Sequence, residues 1–440
     1  MSRTRIHYPN MAVAVANGAS FDDSKGSMKN LDRVQALSFN VEANRQQPTE
    51  VGSFGFVANQ VMQSPDVNLE IEYLLSDGDN ERNLGLYVND GNNSGWKGIF
   101  SDMTLNNLDR VDDTLDFLVL GAGEGEDINF NPDFDDADIL GFGNCYLNNY
   151  RLSMDVDSFP SVQISMVGSN MNFQKFDVNK SSDLPSVNSY LGKTRTEDDN
   201  HPSFGRFSST SLNPDIIKPY RNGISVPAFS RGDVKITIYE DLTDGGERSI
   251  GGNKLIEYDK AHIQSLEMNM QFNRKDIRGF GRNFVGDRKI RYPVLSSMSM
   301  NLLPREFEQG ELKDILTHDK AYSISMQFFY PYSRGITNIY AGDDILGYRK
   351  GAQDCSKENA LVLGVIYKGA QLVSHNFDLN IGSNMTSSVS FEVDTTPNAK
   401  PFRGVYMYDG NLMLTREEIE ITDLLNGLIK TEEGDENILI

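Results

Sequence analysis

Apolar and polar residues alternate along much of this chain, and one alternating run is written twice. Val34–Arg45 reads VQALSFNVEANR and Ile263–Arg274 reads IQSLEMNMQFNR, 229 positions later. Gln35, Leu37, Asn40, Asn44 and Arg45 match Gln264, Leu266, Asn269, Asn273 and Arg274 in step, and Gly52 and Gly281 keep the same spacing. Leu69, Ile71 and Tyr73 fall on Met298, Met300 and Leu302 at that spacing too. Further on, Leu152, Met154 and Val156, then Val162, Ile164 and Met166, are answered by Phe377, Leu379 and Ile381, then Val389, Phe391 and Val393. That matching makes the second hairpin tip two residues longer. Tyr322, Ile324, Met326, Phe328 and Tyr330 add another alternating run. A period of two buries one face of a strand and wets the other, so these runs predict half-buried antiparallel strands joined as hairpins. The fold class expected is mainly β: two tandem, similar β-sandwich or partial-barrel domains, each with a short helix.

Helical signals are few. The stretch REFEQGELKDIL (305–316) suits a short helix, and Leu105–Asp113 is its weaker equivalent. Near the C-terminus, Thr415 and Glu418 form a capping box, followed by Ile421, Leu424, Leu425 and Leu428 at helical spacing. Patterning lapses between about 172 and 232. The expected organisation is a first domain over 1–171, a connecting segment or arm over 172–232, a second domain over 233–414, and a C-terminal amphipathic helix with an acidic tail over 415–440. The strands NMAVAVAN and DVKITIYE open the two domains.

Composition narrows the function classes. With 440 residues, 38% apolar and 24% charged, the chain can bury a sizeable core and suits two domains. The net charge of −22 opposes tight nucleic-acid binding, which depends on Lys and Arg displacing counterions. The acidity is concentrated: Asp109–Asp138 holds eleven acidic residues against Arg110, and Arg416–Ile440 holds eight against two basic ones. No apolar run is long enough to span a bilayer, and the start MSRTRIHYPN lacks a secretory apolar block, so a soluble protein made in a cytoplasm, with no membrane binding of its own, is expected.

Candidate chemistry is sparse. Cys145 and Cys355 are too few for a disulfide framework. His7, His201, His262, His318 and His375 are scattered, with none at metal-ligand spacing. The stretch GAGEGEDINF from Gly121 lacks the Lys-Ser/Thr of a phosphate loop. Asp133, Asp135, Asp136 and Asp138 offer hard oxygen ligands but not the calcium-loop pattern, and SDGDNE from Ser76 is a weaker case; both read first as solvated acidic loops. Trp96 reads as a packing anchor. No catalytic constellation emerges, so neither an enzyme nor a cofactor is expected.

The stretch LDRVQALSFNVEANRQQPTEVGSFGF (31–56), with the later hairpin YRLSMDVDSFPSVQISMVG (150–168), resembles the opening and second hairpin of tail tube proteins of tailed bacteriophages. The resemblance covers about half of each repeat, and here the unit is doubled, whereas the usual family member carries one. It implies a β-sandwich subunit whose strands join those of neighbouring copies into a barrel, in rings that stack into a tube for DNA ejection. Partners would be the chain itself, as a trimer of pseudo-sixfold symmetry, other tail proteins, and DNA in transient passage; the location would be the virion. Within that picture Ser38, Asn40, Glu42 and Asn44, with their mates Glu267, Asn269, Gln271 and Asn273, are candidates for the tube wall and lumen. The alternatives are another tail component, such as a completion, baseplate or hub protein, or a carbohydrate-binding β-sandwich.

Overall fold

The computed structural model describes residues 11–17, 29–42, 45–46, 49, 51–52, 54, 60–61, 66–89, 97–100, 115–121, 138–168, 170–175, 229, 233–244, 247–249, 254–256, 263–277, 287–302, 321–329, 361–378, 386–395 and 403–409. The first half contributes β1 (Met11–Asn17), β2 (Lys29–Leu31), β3 (Val34–Glu42), β4 (Arg45–Gln46), β5 (Gln60–Val61), β6 (Asp66–Leu74), helix α1 (Asp79–Asn83), β7 (Val88–Asn89), β8 (Leu115–Gly121), β9 (Asp138–Asp155), β10 (Ser161–Gly168) and β11 (Asn170–Lys175). The second half contributes β12 (Val234–Asp244), β13 (Glu247–Ser249), β14 (Lys254–Ile256), β15 (Ile263–Gln271), β16 (Arg274–Ile277), β17 (Asp287–Ile290), β18 (Leu295–Leu302), β19 (Ala321–Phe329), β20 (Leu361–Asp378), β21 (Thr386–Asp394) and β22 (Gly404–Asp409). The fold is mainly β, as the alternation predicts. The helices expected at Leu105–Asp113, 305–316 and beyond Thr415 lie outside the described residues.

One long antiparallel sheet runs through both halves, in the order β3–β6–β10–β9–β15–β18–β21–β20 among the described residues. Its two four-strand blocks have the same order, and their registers superpose. Leu37 pairs with Ile71 and Phe39 with Leu69; 229 residues on, Leu266 pairs with Met300 and Met268 with Met298. Each of these ladders opens with an irregularity, at Val34/Ala36 and at Ile263/Ser265, again 229 apart.

The later strands correct the sequence reading of the hairpin. Met166 pairs with Leu69, and Phe391 pairs with Met298, so Met166 corresponds to Phe391 and Ile164 to Val389, at a spacing of 225 rather than 227. The bulge at Asn148 in β9 and that at Val373 in β20 carry the same spacing. Apolar residues two apart are interchangeable to a periodicity argument, because a slip of two keeps the same face buried. Register removes the ambiguity, and the second tip needs no extra residues.

Strands β9 and β20, 18 residues each, serve two sheets. Their later parts lie in the long sheet, and their earlier parts join a second layer: β2–β1–β8–β9–β11 in the first half, and β14–β12–β19–β20–β22–β7 in the second. A bulge bends a strand and raises its local twist, which lets one strand pass from one layer to the other. The second layers correspond as well. Leu115 faces Cys145 and Phe117 faces Phe142, just as Tyr322 faces Ala370 and Ile324 faces Tyr367. Strand β11 runs to Lys175, beyond the point where the alternation fades.

Between the layers lies one apolar cluster that continues from one half into the other. Leu69, Ile71, Leu152 and Ile164 belong to it, as do Met268, Met298, Phe391 and Tyr367. The stretch from Ser76, expected from its composition to be an acidic loop, instead leads into helix α1, which turns Glu81 into this core. Gly78 starts it at φ 87, and a Cβ there would stand 3.0 Å from the Leu363 side chain, so both backbone and packing favour glycine. Arg82 then reaches Asp409 at 2.6 Å, tying the helix to the second half.

Candidate assembly surface

The long sheet has two faces of opposite character. In β6 and β10, Leu69, Ile71, Tyr73, Val162, Ile164 and Met166 point to the core and are at most 1% exposed. On the other face stand Glu70, Glu72, Gln163 and Ser165, and farther along the sheet Ser297, Ser299, Ser388 and Ser390. The segments forming this sheet contain nine Asp and Glu against a single cation, Arg151. Its guanidinium contacts the Glu267 carboxylate at 2.7 Å, which leaves little positive charge for an anion.

Six of the eight residues expected at the wall are on strands of this sheet. Ser38, Asn40 and Glu42 lie on the exposed β3, and Glu267, Asn269 and Gln271 occupy the same register positions on β15. Asn40 donates from Nδ2 to Glu42 Oε1 at 3.0 Å. Asn273 is exposed just beyond β15, and its carbonyl accepts from Arg291 N–H at 2.7 Å. Asn44 lies outside the described residues, as do Asp133, Asp135, Asp136, Trp96 and Cys355. Among the described residues no three His, Cys, Asp or Glu side chains gather as a metal site.

The ends of the sheet are its most informative feature. In the middle, β9 pairs with β15 from Ser265↔Asp155 to Gln271↔Asn149, making a seam between the two blocks. At one end, β3, the counterpart of β15, pairs with β6 alone among the described residues. At the other, Gln371–Asp378 of β20, the counterpart of β9, has β21 on one side and an open edge on the other among the described residues. The side chains register the difference. Met268 and Met270 in the seam are fully buried, whereas Phe39 and Val41 at the matching positions are 46% and 40% exposed. Phe39 retains an edge-on contact with Phe142 at 5.2 Å. The sequence expectation that β3 packs its apolar face inward therefore holds for β15 but only in part for β3. No periodicity reveals this, because both strands carry the same pattern and differ only in having a neighbour.

Two titratable groups stand near these features. Glu81 is fully buried and accepts hydrogen bonds from Tyr73 Oη at 2.9 Å and Tyr150 Oη at 3.2 Å. Burial pushes its pKa up to about 7, with the two hydroxyls opposing that rise. Both tyrosines are pushed well above their usual range, first by burial and then by the neighbouring carboxylate. His375, in the position that Tyr150 fills in β9, sits 2.7 Å from Ser387 Oγ, and burial lowers its pKa.

Comparison with known proteins adds little to this geometry. No protein-family model and no curated protein matches the chain. Among solved structures, the cryo-EM structure of the anti-feeding prophage baseplate, 6-fold symmetrised, is similar over 42% of this chain and 97% of its own, at 10% identity and a TM-score of 0.23. A likeness that slight carries no inference about fold or role.

Proposed function

We propose that this chain is a structural subunit of a bacteriophage-type tail, assembling with copies of itself into closed rings that stack as a tail tube. The role is architectural rather than catalytic, in a virion, with other tail proteins at the ends of the stack. The observation that carries this reading is a pair of edges, β3 and Gln371–Asp378 of β20, that are open among the described residues and whose counterparts already join as β15 and β9 inside the chain. An open sheet edge with uncovered Phe39 and Val41 is an invitation to further strand pairing, and natural β proteins normally blunt such edges. Head-to-tail addition ends that exposure only when the rotation closes a ring.

The dimensions suit the role. Three chains of eight strands make 24; at ~4.8 Å between strands and a tilt of roughly 40°, such a barrel is about 48 Å across at the backbone. The polar sheet face, acidic apart from Arg151, is suited to line the bore, because phosphates passing it meet little positive charge to hold them. Negative-stain images of the purified chain at high concentration provide the test. Annuli or tubes with a central bore are expected; isolated globules throughout would overturn the proposal.

A further inference from the structure

We infer that the seam between neighbouring copies has one specific register, with Asn376 of β20 directly opposite Asn40 of the next copy's β3. This rests on the ring reading above and adds the atomic pairing. The internal seam and the two repeat spacings, 225 and 229, give the pairing. There, Arg151 lies opposite Asn269, Tyr150 opposite Met270 and Asn149 opposite Gln271. Moving β9 residues forward by 225 and β15 residues back by 229 turns these into Asn376 opposite Asn40, His375 opposite Val41, and Ser374 opposite Glu42.

Hydrogen bonding fixes the phase as well. Phe272 N–H donates to Asn148 O at 2.7 Å, and Val156 N–H donates to Gln264 O at 3.0 Å. Antiparallel ladders alternate, so Tyr150/Met270 is a hydrogen-bonded pair and Arg151/Asn269 a non-hydrogen-bonded one, with close Cα atoms. The transferred seam makes His375/Val41 hydrogen-bonded and core-facing, and Asn376/Asn40 non-hydrogen-bonded and polar-facing. It covers Val41 as β9 covers Met270. It also differs chemically from its template: where the internal seam has the Arg151–Glu267 ion pair, the outer one has Asn376 and Ser38. The joint between copies is therefore uncharged at that point and is expected to resist salt.

Paired cysteines test the register. Non-hydrogen-bonded antiparallel neighbours lie within disulfide reach. Asn40 and Asn376 sit at opposite ends of one chain's sheet, roughly 34 Å apart at ~4.8 Å per strand, so a bond between them joins two copies. In a Cys355→Ser background, with Cys145 buried, Asn40→Cys and Asn376→Cys are introduced together, assembled, oxidised and run on non-reducing denaturing gels. Covalent dimers and a closed trimer are expected. Glu42→Cys with Asn376→Cys, displaced by two residues or roughly 7 Å, is expected to cross-link at least tenfold less. Separately, each single variant alone stays uncrosslinked and their mixture cross-links, whereas Asn40→Cys dimerising with itself would mean a twofold β3–β3 joint and overturn the inference. Annuli in images together with no Asn40–Asn376 bond would overturn the register while leaving the ring standing. Absence of both annuli and cross-links would overturn the ring itself.

Discussion

Strands β3 and β15 share one alternating pattern, with Gln, Leu and Asn matching in step, and live in different surroundings. Leu37, Phe39 and Val41 repeat the positions of Leu266, Met268 and Met270, yet among the described residues only the second set has a second neighbouring strand, β9, to complete its burial. Burial at these positions is thus a property of the joint between blocks, with the strand pattern supplying only the capacity for it. Among the described residues, the two blocks keep one joint inside and leave the two halves of a second joint unpaired, the arrangement that the proposed polymerisation would use.

The strongest way to break the comparison is to place a charge at matched positions. Met268→Asp sets a carboxylate in a fully buried seam, and a loss of roughly 4 kcal/mol or more is expected in urea unfolding. Phe39→Asp, at a half-exposed edge, is expected to change the stability of the isolated chain by only about 1 kcal/mol while abolishing annuli. Equal losses of stability would mean that β3 is already covered in the isolated chain.

The blocks also differ in their buried polar chemistry. Tyr73 and Tyr150 embrace Glu81 in the first, where the second has Leu302 and His375. Glu81 holds its proton to about pH 7 when folded, against an ordinary value of 4.5. The native state therefore binds more protons between those values, and stability falls as pH rises through that window, then levels off. Between pH 5.5 and 8 this group alone removes about 2 kcal/mol, and Glu81→Gln should abolish most of that slope in paired urea titrations. An unchanged slope would mean that Glu81 ionises in the folded protein much as it does in water.

Smaller effects sharpen the correspondence itself. A Cβ on Gly168 would lie 2.8 Å from Cys145 Sγ, and the second block places Val393 and Ala370 at these two positions, exchanging the small and large members. Gly168→Ala should cost roughly 1–2 kcal/mol, and Cys145→Ala in the same chain should recover much of it; additive losses would break the pairing. Least of all, removing the half-exposed Arg151–Glu267 ion pair by Arg151→Ala should cost under about 1 kcal/mol and less in high salt. A larger, salt-insensitive loss would mark it as a structural anchor of the seam.

How far the fold was legible in the sequence follows from what periodicity encodes. Alternation in β3, β6, β15 and β18 specified strands, faces and their doubling, because the repeat of two and the shared residues are local information. Alternation alone matches the hairpins two residues out of step, since only pairing to β6 and β18 distinguishes Val389 from Phe391 as the mate of Ile164. Helix α1 leaves no local signal because SDGDNE has the composition of a solvated loop, and Glu81 is held inside by the hydroxyls of Tyr73, on the preceding strand, and of the distant Tyr150. The wall candidates on β3 and β15 were legible as polar alternates; the edge left open among the described residues was not, because pairing across an edge leaves no trace in the alternation of the strand itself.

Cryo-EM reconstruction of assembled particles, viewed along the tube axis, tests the central claim most directly. The account predicts three chains around a bore, walled by 24 strands in which β20 of each copy continues into β3 of the next and Phe39 is covered. A reconstruction in which β3 and β20 remain solvent-facing edges, or in which two β3 strands meet about a twofold axis, would contradict it.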